Sequence, residues 1–160
     1  MKVNLVKLQA KHIPLFYKWW TDPELIRLTS DRKEKLSKEK IKKMLLKKLA
    51  ASNRKDFIIT VEKKPIGHIA IMKNKNHKYF EYYIAIGEKK YWGKGLGTIA
   101  TKKAVKWFFK NFPKENLLEL EVRKSNSRAL RSYEKAGFRF FRKKPFKLFP
   151  DLILMRVYKK

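Results

Sequence analysis

At 160 residues and 44% hydrophobic content, the chain is long enough for one domain with a real core and too apolar for a disordered tail. It holds no Cys, which excludes a disulfide framework, a thiolate metal site and a cysteine nucleophile. A formal charge of +28 draws anions such as nucleic acid, acidic membranes or phosphorylated cofactors, although the lysines are spread evenly enough to be read first as a compositional habit. "VNLVKL" (3–8) alternates apolar and polar residues and predicts a strand. "HIPLFYKWWTDPELIRLT" (12–29) runs in helical period, with Pro14 near its start and "TDP" as a break. Its Phe16, Trp19 and Trp20 sit at helical spacing and are read as core, ahead of an aromatic cage for a cationic amine. "SKEKIKKMLLKKLAA" (37–51) starts on a candidate N-cap, Ser37, and carries Ile41, Met44, Leu45 and Leu49 on one face.

The strands 56–62 and 66–72 form a hairpin around "KKP", and "YFEYYIAI" (79–86) is a further strand. A helix over 97–111, a strand over 116–122 and a helix over 126–137 ending at Gly137 follow. "FRFFRKK" and "LILMRVYKK" close the chain as two strands separated by "PFKLFPD". Helices lying between strands require a crossover, so the expectation is an α/β (α+β) single domain spanning 1–160. Its sheet is mixed, mostly antiparallel, with about seven strands and about four helices. The three histidines, His12, His68 and His77, lack ligand spacing, so no metal is expected. With no apolar run near the ~20 residues of a span and no signal-like N-terminus, the reading is a soluble, cytoplasmic protein without a membrane partner.

"YWGKGLGT" (91–98) places three of the six glycines, Gly93, Gly95 and Gly97, at alternate positions between a strand and a helix. A Walker loop would need Gly-Lys-Ser/Thr, and a dinucleotide fingerprint would need a different spacing after the first strand of a parallel unit. Neither fits. What remains is an anion cradle: glycines turn successive N–H groups toward one oxyanion, and the following helix adds its positive N-terminal dipole. Thr98 adds a hydroxyl, and Lys94, Lys102 and Lys103 add positive field.

"KYWGKG" (90–95) and, about 30 residues on, "LEVRKSNSRALRSYEKAGF" (120–138) resemble the two signatures of the GCN5-related N-acetyltransferases (GNAT). Lys90 stands where that family usually has Gln or Arg. The resemblance is nearest to the branch that acetylates N-termini of ribosomal proteins. It implies a sheet splayed between its fourth and fifth strands and acetyl-coenzyme A as cosubstrate. It places the pyrophosphate on amides of Trp92, Gly93, Lys94, Gly95, Leu96, Gly97 and Thr98, the pantetheine arm along Ile84, Ala85 and Ile86, and Asn126 and Tyr133 at the cofactor.

Acetyl transfer from a thioester to an amine needs a base, because the amine is a cation at neutral pH, and the leaving thiolate benefits from an acid. The absence of Cys fits direct attack. The resemblance implies Glu121 as base and Tyr133 as acid. Glu81, on the strand flanking the acetyl group, is the second candidate base. Read without the resemblance, Glu121 is a solvent-facing residue of an alternating strand, Tyr133 packs on the sheet, and Asn126 caps a helix. Asp22, Glu24, Asp31 and Glu34 form an acidic group that either receives an amine or balances neighbouring cations. The expected partner is an amine acceptor, with a protein N-terminus preferred because a +28 surface repels polycations. The alternatives are a small amine (polyamine, amino acid or aminoglycoside) and a catalytically silent RNA- or ribosome-binding protein. A homodimer is left open.

Overall fold

The computed structural model describes residues 1–30, 32–73, 75–145 and 149–160. In chain order the elements are β1 (Val3–Lys7), α1 (Ile13–Trp19), α2 (Pro23–Thr29), α3 (Lys38–Ala50), β2 (Arg54–Val61), β3 (Lys64–Met72), β4 (Phe80–Ile86), α4 (Leu96–Asn111), β5 (Leu117–Arg123), α5 (Ser127–Lys135), β6 (Arg139–Lys143) and β7 (Leu152–Tyr158). The seven strands make one sheet in the order β1-β2-β3-β4-β5-β7-β6. Every neighbouring pair is antiparallel except β4 and β5. The expected fold is therefore present, with five α-helices in place of about four. The extra helix arises at "TDP": Asp22 accepts from the N–H groups of Glu24 (3.0 Å) and Leu25 (3.1 Å) and starts α2 as a separate element. Among the described residues no helix is long and apolar enough to cross a membrane.

The hairpin between β2 and β3 turns at Glu62 and Lys63, both at positive φ (49° and 69°), so of the "KKP" read from the sequence only Lys63 lies in the turn. Pro65 instead pairs with Thr60 inside the ladder, beside a register shift.

Period-2 alternation divides the sheet into two faces. One face packs on α4, whose Leu96, Ala100, Ala104 and Phe108 are all buried at successive i, i+4 positions. The small Ala100 and Ala104 let the helix approach closely. Phe80 meets Phe108 edge-on at 5.2 Å, and the Tyr82 hydroxyl donates to Thr101 Oγ1 at 3.0 Å. The opposite face carries α1 and α3. There Phe16 (0% exposed) and Trp19 (4%) fill a second core with Ile41, Leu45 and Ile58. The core reading of these aromatics holds, and Trp19 Nε1 donates to Glu88 at 2.9 Å.

Under that second core lie two buried polar residues, Asp56 and His68, with the partly buried Arg54 beside them. Arg54 Nε and Nη2 donate to Asp56 (2.6 and 2.8 Å), and His68 Nε2 meets Asp56 Oδ1 at 2.8 Å. Burial alone would push the Asp56 carboxyl up, but the hydrogen bonds from Arg54 and His68 more than offset it and hold the carboxyl at about 2. Removing one partner of such a pair strands a buried charge and typically costs 3–5 kcal/mol. Asp56→Ala should therefore lower the unfolding free energy by about 3 kcal/mol or more at pH 7 in urea denaturation. A folded-state pKa near 2, against 3.8 for the free group, means the ionised carboxylate stabilises above pH 3.8. The wild-type advantage should therefore shrink as pH falls from about 4 toward 2.

Candidate active site

β4 and β5 pair over two positions only, Phe80 with Leu118 and Glu81 with Glu119. β5 runs on for seven pairs against β7, and β4 for six against β3. The two central strands therefore part beyond Glu81, and a cleft of ≈ 940 Å3 opens between them. Backbone groups on the parting edge of β4 lose their ladder partners and need others. One substitute is internal: Trp92 Nε1 donates to the Ile86 carbonyl at 2.8 Å.

The glycine stretch forms one end of the cleft. Gly93 and Gly95 have φ of +74° and +73°, and a Cβ built on either meets nothing within 4 Å. The backbone there needs glycine for its conformation and leaves open space beside it. Gly95 is the N-cap of α4, and no side chain caps the helix. The amides of Leu96, Gly97 and Thr98 precede the first helical bond, from Ile99 N–H to the Gly95 carbonyl (3.2 Å), so they have no partner within the helix. Donors of this kind at a positive dipole end suit an anionic group. Gly97 differs from the other two: it lies within the first turn of α4, and an added Cβ would make ordinary contacts with Ser132 (3.6 Å) and Ile86 (3.8 Å). The cradle thus rests on two left-handed glycines, not three. Lys94 does not line the cleft and sits over the Tyr91 ring (5.6 Å), while Lys103 Nζ donates to the Val3 carbonyl (2.7 Å).

The other residues expected from the sequence converge on the same cleft: Glu81, Ile84, Ala85, Ile86, Trp92, Glu121, Asn126 and Tyr133 all line it. Asn126 caps α5, its Oδ1 accepting from Ala129 N–H at 3.2 Å. Tyr133 is 8% exposed, packs edge-on against Phe138, and burial raises its hydroxyl pKa. Thr98 and Ser132 hydroxyls meet at 3.0 Å and tie α4 to α5 across the cleft floor.

The two candidate bases differ. Glu121 is solvent-exposed and paired with Lys144. Glu81 is half-buried, and burial raises its pKa. His77, its ion-pair partner, offsets part of that rise, and the Glu121 charge adds to it. The acidic group divides otherwise. Asp22 and Glu24 both bind Lys89 (2.9 and 3.1 Å), and Glu34 binds Lys40 (2.7 Å), so these three balance cations. Asp31 lies outside the described residues. Sequence reasoning missed Tyr83, Arg123, Arg128 and Lys144 in the cleft wall. Tyr83 was legible, since it follows Glu81 by two and must share its face. Lys144 reaches Glu121 from a distant segment and left no local signal.

Residues 2–139 match the Acetyltransferase (GNAT) domain family. The chain belongs to this family. It is a GNAT acetyltransferase with acetyl-coenzyme A as cosubstrate, and the uncapped amides and open glycine backbone fit the phosphate groups of that molecule. Solved structures share the fold. Aminoglycoside acetyltransferase AAC(6')-Ib in complex with coenzyme A and kanamycin is 20% identical with a TM-score of 0.84, covering 99% of this chain and 95% of that one. Spermidine N-acetyltransferase from Vibrio cholerae in complex with CoA and spermine is 18% identical with a TM-score of 0.83, covering 98% and 95%. A domain from Methanocaldococcus jannaschii DSM 2661 is 20% identical with a TM-score of 0.82, covering 99% of both chains.

The glycines yield a stability ranking. Placing a side chain in the left-handed region costs roughly 1–2 kcal/mol. Gly93→Ala and Gly95→Ala should each lower stability by about that amount, while Gly97→Ala should be neutral or raise it by up to about 1 kcal/mol in chemical denaturation.

Proposed function

We propose that this GNAT protein acetylates a small primary amine by direct attack on acetyl-coenzyme A, with Glu81 as general base and Tyr133 as general acid. The observation that carries this reading is the convergence of the uncapped glycine cradle, Glu81 and Tyr133 on one cleft at the parting of β4 and β5. Acetyl-coenzyme A supplies the activated thioester. The amides of Leu96, Gly97 and Thr98 hold its phosphates, with Gly93 and Gly95 shaping the approach. The parting edge of β4 at Ile84–Ile86 takes its pantetheine arm: Ala85 points its backbone to β3 and the Ile86 carbonyl is already bound to Trp92, which leaves the backbone groups of Ile84 for the pantetheine amide.

Glu81 is favoured over Glu121 on physical grounds. A base works best with a pKa drawn toward the operating pH. Burial raises Glu81, whereas Glu121 is exposed and held by Lys144. Glu121 then acts through its charge, which keeps Glu81 raised. Tyr133, whose pKa is raised by burial, keeps its proton at neutral pH and can donate it to the departing sulfur.

The ribosomal-protein branch finds no support among the structural neighbours, which include aminoglycoside and spermidine acetyltransferases. A compact amine also suits the charges of the cleft, where the carboxylates are Glu81 and Glu121, paired with His77 and Lys144, and six Arg and Lys side chains share the lining. An acceptor bearing one or two positive charges fits better than a longer polycation.

Two experiments bear on this reading. Thiol release should follow an acid limb set by Glu81, lying above the ordinary glutamate range. Glu81→Gln should remove the limb with a rate loss of about 10²–10⁴, and Glu121→Gln should move it to lower pH. Tyr133→Phe should slow turnover on the same scale with acetyl-coenzyme A affinity retained. A limb that disappears in Glu121→Gln and persists in Glu81→Gln would reverse the assignment. The acceptor is decided by a panel of simple mono- and diamines, spermidine, kanamycin and N-terminal peptides. A small amine should give the highest kcat/KM, and a peptide ahead of every amine would restore the N-terminal acceptor.

A further inference from the structure

His68 is 4% exposed, and its two ring nitrogens have unlike surroundings. Nε2 faces the Asp56 carboxylate at 2.8 Å. That carboxylate is ionised and already takes two hydrogen bonds from Arg54, so it can only accept. The proton therefore sits on Nε2, and Nδ1 carries a bare lone pair. Among the described residues Nδ1 is one of two buried side-chain nitrogen or oxygen atoms without a hydrogen-bond partner. The other is Arg32 Nε, whose guanidinium field reaches the Tyr83 hydroxyl.

Beside His68 is a chamber of ≈ 10 Å3, at the lower bound of the roughly 10–15 Å3 one water needs. Leu25, Thr29, Tyr83 and Ala85 line both this chamber and the acetyl-transfer cleft. The His68 and Tyr83 rings lie 5.9 Å apart, centroid to centroid, on the sheet face that also carries Glu81. The Thr29 hydroxyl donates to the Leu25 carbonyl at 2.6 Å, so toward other neighbours it too can only accept.

We propose that His68 is a positioning residue for the acceptor: its Nδ1 holds one water in this chamber, and that water, with Thr29, accepts the Tyr83 O–H. Every hydrogen bond in the chain then points inward, from Tyr83 to the water, from the water to His68, and from His68 to Asp56. The Tyr83 oxygen is left with lone pairs toward the cleft, where it can receive an N–H of the incoming amine and cannot donate to an anionic acceptor. The amine end of this proposal rests on the acetyl-transfer reading, whereas the water and the tautomer do not.

The test has three arms. Nitrogen-15 NMR of the His-labelled chain should show Nε2 protonated and Nδ1 bare at neutral pH, and a protonated Nδ1 overturns the proposal. A high-resolution crystal structure should show one water within about 2.7–3.2 Å of both His68 Nδ1 and the Tyr83 oxygen. A dry chamber, or a water that misses Tyr83, also overturns it. In thiol release with the best amine of the panel, Tyr83→Phe and His68→Phe should each raise the amine KM about tenfold or more, with the acetyl-coenzyme A KM unchanged. The double variant should be no worse than either single one, and His68→Gln, which can donate to Asp56 and accept at the chamber, should recover most of the loss. Multiplying effects, or no rescue by Gln, would reduce His68 to a packing role. If no amine releases thiol, the acetyl-transfer reading fails, and the first two arms still decide the water and the tautomer.

Discussion

The parting of β4 from β5 after two pairs is the constraint on which this molecule depends. A parallel pair inside a sheet would normally bond along its whole length, leaving no backbone polar group exposed between the strands. Here β5 turns instead with β7, and the edge of β4 is left to other partners. Trp92 supplies one by folding back onto the Ile86 carbonyl, while α4 and α5 hold the gap open with the Thr98–Ser132 contact and the buried Tyr133 ring. A broken ladder thus becomes a slot whose walls carry free donors and acceptors. That is what an extended amide-bearing arm needs.

Both ends of the slot draw their chemistry from secondary structure as well as from side chains. At one end, two left-handed glycines and an uncapped helix give three aligned N–H groups and a dipole, which attract phosphate without requiring a charged side chain. Lys94 and Lys103 turn away from this role, one over Tyr91 and one onto β1. At the other end, the two carboxylates face a cleft in a protein of formal charge +28, Glu81 paired with His77 and Glu121 with Lys144. Arg27, Arg123, Arg128, Arg131, Lys135 and Lys144 line the same cleft as these two carboxylates, so its lining carries the positive sign of the whole chain.

The sequence by itself determined the element order, the two-sided sheet and the cleft's main residues. These follow from local rules: period 2 in the strands, period 3.6 in α3 and α4, Ser37 and Asn126 at helix starts, and glycines where the backbone turns left-handed. Glu121 and Tyr133 were legible because signature spacing fixes their places on β5 and α5, and Glu81 because it lies on the strand that precedes the glycine stretch. Three matters were settled only by the tertiary structure. Gly97 looks like its neighbours in sequence, yet helical φ and ordinary contacts set it apart from Gly93 and Gly95. The sequence offers both glutamates as candidate bases, but burial raises Glu81, and Lys144, 23 residues beyond Glu121, pairs with the other. His68 looked like a stray histidine until β2 brought Asp56, held by Arg54, against one nitrogen, left the other without a partner, and set the ring beside a chamber that Tyr83 also lines. Pattern records which face a residue occupies. Its charge state and partners depend on groups far along the chain, which only the closed fold brings within a few ångströms.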